Sequence, residues 1–400
     1  MRLHPFLALL PLSLAANVES KPIHKPMTSK TSLALMMLDS IIDRKQGISV
    51  NTSVKTSVIE GGLLLVGISA TLEHMDLNYS QKSKYRDYLE LITSGLSLSL
   101  ENVTTDTVSP LDEFSVGTQF IYQYLETGNR TLLRAIQGLH EADLLRERQE
   151  DGSYWYFTYP NATTQDGLFS IPSFHALYAR EFDSHNALTA YKTAALQFSN
   201  IVDHCVSHST EGLLYHGYDP TGSFPVWGNL TSRGHSQSIW GRAVGWTCTG
   251  LLLTLDVIPE EPATLEVREE LIGIFVKLMN AILMAQDLSG GWWQMMNFPG
   301  RHGNYLESSS TGLFSQAMLR GIRFGYLGTT TSKILHGDQF SAEEYIWSAE
   351  RGWYNLTVDI CSINSHTSFE YYVAQPLKPQ SLLGEVGFIL TDIEMHIAKE

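Results

Sequence analysis

Apolar side chains return every three or four residues along most of the chain, the spacing that lines one face of an α-helix. In "NRTLLRAIQGLHEADLLRER", Leu132, Leu133, Ile136, Leu139, Asp143 and Leu144 trace a mostly apolar stripe with charges opposite. "LEVREELIGIFVKLMNAILMAQ" behaves alike through Leu271, Phe275, Leu278 and Ile282. A second kind of segment, such as "AVGWTCTGLLLTLDVI", is apolar nearly all round and predicts a helix enclosed by neighbours. Strand-like alternation is scarce, so the expected class is all-α.

Between the helices a loop theme recurs. It reads "EDGSYWYF" from Glu150, "TEGLLYHGYD" from Thr210, "LSGGWWQMM" from Leu288 and "AERGWYNL" from Ala349. Each sets a turn glycine before aromatics, at a spacing of roughly 60 to 80 residues, the length of two helices with their loops. About six such hairpins fit the chain, and their regular closed arrangement is an (α/α)6 barrel, a six-hairpin toroid. The aromatic loops then gather at one end around a central pocket. An irregular helical solenoid with structural aromatics is the competing arrangement.

Composition narrows the function. The 400 residues are 43% hydrophobic, enough for a large core. With 42 acidic against 27 basic residues the formal net charge is −15, which argues against nucleic acid as a partner. The start, "MRLHPFLALLPLSLAANVES", has the positive residue, short apolar run and small residues of a secretory signal peptide over 1–16, too short to span a bilayer. A lead-in over 17–30, carrying "KPIHKP", precedes one catalytic domain over 31–400. Asn51, Asn78, Asn102, Asn129, Asn161, Asn229 and Asn355 begin Asn-x-Ser/Thr sequons, half of the fourteen asparagines, so a secreted, extracellular glycoprotein without membrane attachment is expected. Cys205, Cys248 and Cys361 allow at most one disulfide, so the fold rests on its core. No Cys/His spacing suggests zinc, and no phosphate loop or Ser-His-Asp signature is present.

Polar groups beside aromatics are the candidate chemistry. Asp166 in "TTQDGLFSIPSF" stands at the lip of an apolar run, where a carboxylate is costly unless paired, hydrated or protonated. It suits either a helix cap or an acid with a raised pKa. Asp112 in "SPLDEFSVG" precedes a helix, and "LLYHGYD" offers His216 and Asp219. "SQSIWGRAVGWT" sets Arg242 between Trp240 and Trp246, with no acid within four residues. A buried guanidinium there needs a fork-matched partner, either a ligand carboxylate or a carboxylate from elsewhere in the fold. "GGWWQMMNFPGRHGNYLESSSTGLF" adds Trp292, Trp293, Asn304 and Glu307.

Taken in order, Asp112 in "LDEFSVG", Asp166 in "QDGLFSIPSF", His216 in "YHGYD", Trp240 and Arg242 in "WGRAVGW", then "NYLESSSTGLF", resemble glycoside hydrolase family 105. Its members are unsaturated rhamnogalacturonyl hydrolases and related unsaturated uronyl hydrolases. The resemblance runs from about residue 55 to the "GEVGFILTDIE" tail. It implies an (α/α)6 barrel acting without metal or cofactor; a monomer is expected. Asp166 is then the general acid/base, with Asp112, His216, Trp240, Arg242 and Trp246 on the sugar. The chain departs from the family in reading Arg242-Ala243-Val244-Gly245-Trp246 where Arg-Gly-x-Gly-Trp is usual. It also lacks the expected aromatic in "NTSVKTSVIEGG".

The implied substrate is an oligosaccharide ending in a uronate with a C4=C5 double bond, as lyases leave it. An acid protonates C4, water adds at C5, and the hemiketal opens to expel the neighbouring sugar. An apolar lip raises an acid by desolvation, which suits that task. Two other readings stay open: an ordinary inverting glycosidase using Asp112 and Asp166 as its carboxylate pair, and a non-catalytic carbohydrate-binding protein. Loss of the conjugated absorbance of a lyase digest separates hydration from both.

Overall fold

The computed structural model describes residues 32–50, 56–100, 110–156, 162–224, 227, 231–232, 234–358, 361–362, 369, 373 and 378–399. The expected signal peptide over 1–16, the lead-in over 17–30, and Asn51, Asn102, Asn161 and Asn229 lie outside the described residues.

Among the described residues, twelve helices longer than two turns alternate between an outer and an inner layer. The outer ones are α1 (Leu33–Asp43), α3 (Tyr79–Ser97), α5 (Arg130–Leu145), α7 (Ala187–Cys205), α9 (Leu265–Met284) and α11 (Ala342–Val358). The inner ones are α2 (Ser57–His74), α4 (Gly117–Thr127), α6 (Asp166–Phe182), α8 (Gly241–Val257), α10 (Ser308–Arg323) and α12 (Leu382–Ile397). A tight helical turn, Leu111–Val116, leads into α4. Sequence sorts the layers. Every residue of 241–252, 308–319 and 382–391 is buried, as all-round apolar or small segments require. The outer helix α5 buries one stripe, with Leu132, Ile136, Leu139 and Asp143 inside, while Leu144 turns out to solvent.

The inner helices form a closed ring: α6 packs on α8, α8 on α10, α10 on α12 and α12 back on α2. α2 and α6 both pack on the turn before α4, which closes the remaining gap. The contact of α6 with α8 is close because Gly250 lies against Leu168 O, where a Cβ would stand 2.0 Å away. Pro172, four residues on, has no amide to offer that carbonyl. This is the expected six-hairpin (α/α)6 barrel.

Short links such as 75–78, 128–129 and 183–186 join inner to outer helices. The long ones, 146–165, 206–240 and 285–307, lead from outer helices into inner ones. These three loops and the inner-helix N-termini therefore share one end of the barrel. One expected loop is absent: "AERGWYNL" lies inside α11. Gly352 there serves close packing instead of a turn, since a Cβ would meet Ser315 Oγ of α10 at 2.2 Å.

Among the described residues, no helix is long and apolar enough to cross a membrane. Cys205 and Cys248 are both buried.

Candidate active site

Two loops at the long-loop end are drawn together by a minimal antiparallel ladder, β1 (Thr163–Thr164) with β2 (Gly217–Tyr218). Gly217 permits it, for a Cβ there would sit 2.3 Å from Thr163 O. The ladder sets Asp166, the first residue of α6, against His216, with Nε2 and Oδ2 2.8 Å apart. The preceding N-cap position is Gln165, whose side chain makes no cap bond. Capping is therefore not the task of the Asp166 carboxyl. One of its oxygens is held by His216, and the protein offers the other no hydrogen bond among the described residues. The imidazole is fixed in turn by the edge of Trp240 at 5.1 Å and by Trp227 at 5.8 Å between ring centres.

Asp112 comes to the same place from the turn before α4. It is 6% exposed and accepts a 2.5 Å hydrogen bond from Tyr156 Oη. Burial pushes its carboxyl up from 3.8 to about 7; the charge of Asp166 pushes the same way, against Tyr156 and Arg146. A carboxyl protonated near neutral pH thus stands within electrostatic reach of Asp166. Burial and Asp112 together also raise the Tyr156 phenol well above its ordinary value, so it stays a donor.

Arg242 finds its partner inside the protein. Its Nη2 lies 3.2 Å from Glu307 Oε1 and its Nε donates to Ser309 Oγ at 2.9 Å, with both ions buried. Glu307 is the N-cap of α10 and accepts from Ser310 N at 2.6 Å. The carboxylate from elsewhere in the fold is thus the one found, and the pair locks α8 to α10 beneath the site. Trp240, the N-cap residue of α8, lies 5.2 Å from the Arg242 guanidinium carbon and lines the cluster. Trp246 does not join it: 1% exposed, it stacks on Phe169 at 4.7 Å in the core. Asp219 and Asn304 are loop braces, Asp219 accepting from Thr221 N and Asn304 bonding Met295 and Phe298.

Tyr156, Trp227 and Gln165 were not singled out by sequence. Tyr156 and Gln165 lay inside segments already marked, the "EDGSYWYF" loop and the residue before Asp166. Among the described residues no three His, Cys, Asp or Glu side chains gather as metal ligands.

The comparisons with known proteins bear on the family and the fold. A C. acetobutylicum glycoside hydrolase from family 105 superposes with a TM-score of 0.73 at 25% identity, over 92% of this chain and 100% of its own. The unsaturated glucuronyl hydrolase of Bacillus sp. GL1, responsible for degradation of glycosaminoglycan, shares the fold with a TM-score of 0.65 at 11% identity, over 91% and 95% of the two chains. Protein Atu3128 of Agrobacterium fabrum is 39% identical over 116 residues, 29% of this chain. That match spans about half the relative's length, 47%. The model of Glycosyl Hydrolase Family 88 matches residues 55–399, and the chain is a glycoside hydrolase belonging to that family, with the barrel of its family 105 neighbours.

Proposed function

We propose that this hydrolase removes a terminal unsaturated uronate from lyase-generated oligosaccharides, of the unsaturated rhamnogalacturonan disaccharide type, by hydrating C4=C5. The observation that carries the reading is the Asp166 carboxyl, held on one oxygen by His216 and open on the other, beside the raised Asp112. Two carboxyls in mutual reach resist double ionisation, and the burial of Asp112 adds to this. Asp166, as general acid, delivers a proton to C4 and then takes one from the water that adds at C5. The hemiketal opens between C5 and the ring oxygen, and the neighbouring sugar leaves with its linkage oxygen. His216 orients Asp166, and Trp240 offers an apolar face to the sugar. Arg242, held in place by Glu307, and the N-termini of the inner helices supply the positive potential for the substrate carboxylate.

The same reading extends to a secreted, N-glycosylated protein acting as a monomer. Asn78 and Asn129 are exposed N-cap residues of the outer helices α3 and α5, at the barrel end opposite the site. Glycans there leave the site clear.

Matched saturated and unsaturated disaccharides in heavy-oxygen water test the chemistry. The expected result is label at C5 of the opened uronate and no cleavage of the saturated partner. Label at C1, or equal rates on both sugars, assigns Asp112 and Asp166 to ordinary inverting hydrolysis instead.

A further inference from the structure

We propose that Gln165, anchored by Thr247, is the positioning residue that sets Asp166 against His216; the inference rests on reading those two as the working pair. Gln165 is fully buried and uses every hydrogen-bonding group it has. Its Nε2 donates to Leu214 O at 3.1 Å and to Tyr215 O at 3.0 Å, and its backbone N donates to His216 O at 3.0 Å. Three consecutive residues of the histidine loop therefore hang on one side chain and its own amide. Its Oε1 accepts from Thr247 Oγ1 of α8 at 2.7 Å, and its carbonyl accepts from Leu168 N at 3.0 Å.

This arrangement does what the ladder cannot. Two paired residues per strand are too short to hold a register unaided. Gln165 ties the loop of His216, the start of the helix that begins with Asp166, and the helix that follows Trp240 into one unit. Thr247 is 1% exposed, so its hydroxyl is not shared with solvent. Removing it leaves the Gln165 carbonyl buried without a donor, and the carboxamide must turn to find one. The turn releases Leu214 and Tyr215, and His216 moves relative to Asp166. A displacement near 1 Å of a working group costs about 10²-fold in rate.

The test sets shape against hydroxyl. Thr247→Val keeps the volume and loses the donor; Thr247→Ser keeps the donor and loses a buried methyl. Rates are followed by loss of the conjugated double bond of an unsaturated disaccharide, and Tm is measured alongside. A positioning role predicts that Thr247→Val lowers kcat by about 10-fold with little change in KM. Thr247→Ser should restore most of that loss even though its Tm falls. A purely packing role predicts the reverse order, with serine the worse variant. Equal kcat in valine and wild type, or a serine variant as slow as valine, overturns the proposal. Gln165→Met should be slower still, by about 10²-fold.

A second readout needs no substrate. The His216 imidazole titration, followed by NMR in the free protein, should be displaced in Thr247→Val and return in Thr247→Ser. An unmoved titration in the valine variant overturns the positioning role. A wild type inactive on the unsaturated disaccharide but with the titration behaving as stated overturns only the hydration reading.

Discussion

Among the described residues, two buried aspartates each meet a histidine, and only one of the two keeps an oxygen open. Asp143 of α5 meets His175 of α6 at 2.6 Å, while Asp166 meets His216 at 2.8 Å. At Asp143 the second oxygen is closed by the Tyr154 hydroxyl, Arg148 stands 3.7 Å away, and no surface is exposed. Burial alone would raise that carboxyl, yet His175, Tyr154 and Arg148 outweigh it and hold Asp143 below its ordinary value. At Asp166 the second oxygen is left open, 8% of the residue meets solvent, and the neighbour is another acid, Asp112. The same two side-chain types thus make a brace where every valence is filled and, on the proposed reading, a reagent where one is kept vacant. Proximity of an acid to a histidine says little by itself; the count of remaining donors decides.

The largest effect expected from that difference is on rate. Asp166→Asn should lower turnover on an unsaturated disaccharide by roughly 10²–10⁴ with Tm near wild type. Asp143→Asn should leave kcat per folded molecule intact. Steady-state kinetics on both variants, corrected for folded fraction, breaks the comparison if the two losses are alike. Next comes stability. Asp143→Ala leaves His175, Tyr154 and Arg148 without their buried anion, a loss of about 3–5 kcal/mol readable by urea unfolding. The smallest effect is in pH dependence, where the two acids carry opposite signs. Asp143 is held below 3.8, so its contribution is present above that pH and is lost as pH falls through its folded value. Asp112 is raised to about 7, so its contribution is full below 3.8 and disappears as pH rises through 7. Asp112→Asn should therefore raise Tm by a few degrees at pH 8 and not at pH 4. A gain of equal size at both would mean that Asp112 carries no raised carboxyl.

Sequence revealed the barrel because layer and period are local properties. The all-round apolar run over 243–258 belongs to an inner helix, and the one-sided stripe through Leu132 and Leu139 to an outer one. It also marked Asp112, Asp166, His216 and Trp240, since polar groups beside aromatics are out of place in a core. What it did not carry was pairing across distance. Arg242 and Glu307 are 65 positions apart, and nothing local says that one answers the other. Trp246 was placed on the sugar by the family resemblance, yet its ring lies on Phe169 in the core. Nor did it carry the raised carboxyl of Asp112, because the burial that raises it is invisible in a helix-start motif. Gln165 was not singled out by sequence, and only its three-dimensional neighbours disclose its bonds to the histidine loop and to α8.

The way the ring closes also bears on how the chain is made. One flank of α2 is covered by α12, and Arg44, just past α1, reaches Glu385 of α12 at 2.6 Å. These two neighbours of α12, α1 and α2, leave the ribosome hundreds of residues before it does. Until then the apolar face of α2 has no native neighbour on that side, so the nascent barrel is an open arc with a sticky seam. Contacts of such long sequence separation form late and slowly. The last inner helix is therefore the clasp that turns an aggregation-prone arc into a finished barrel, and chaperone demand should peak just before it emerges.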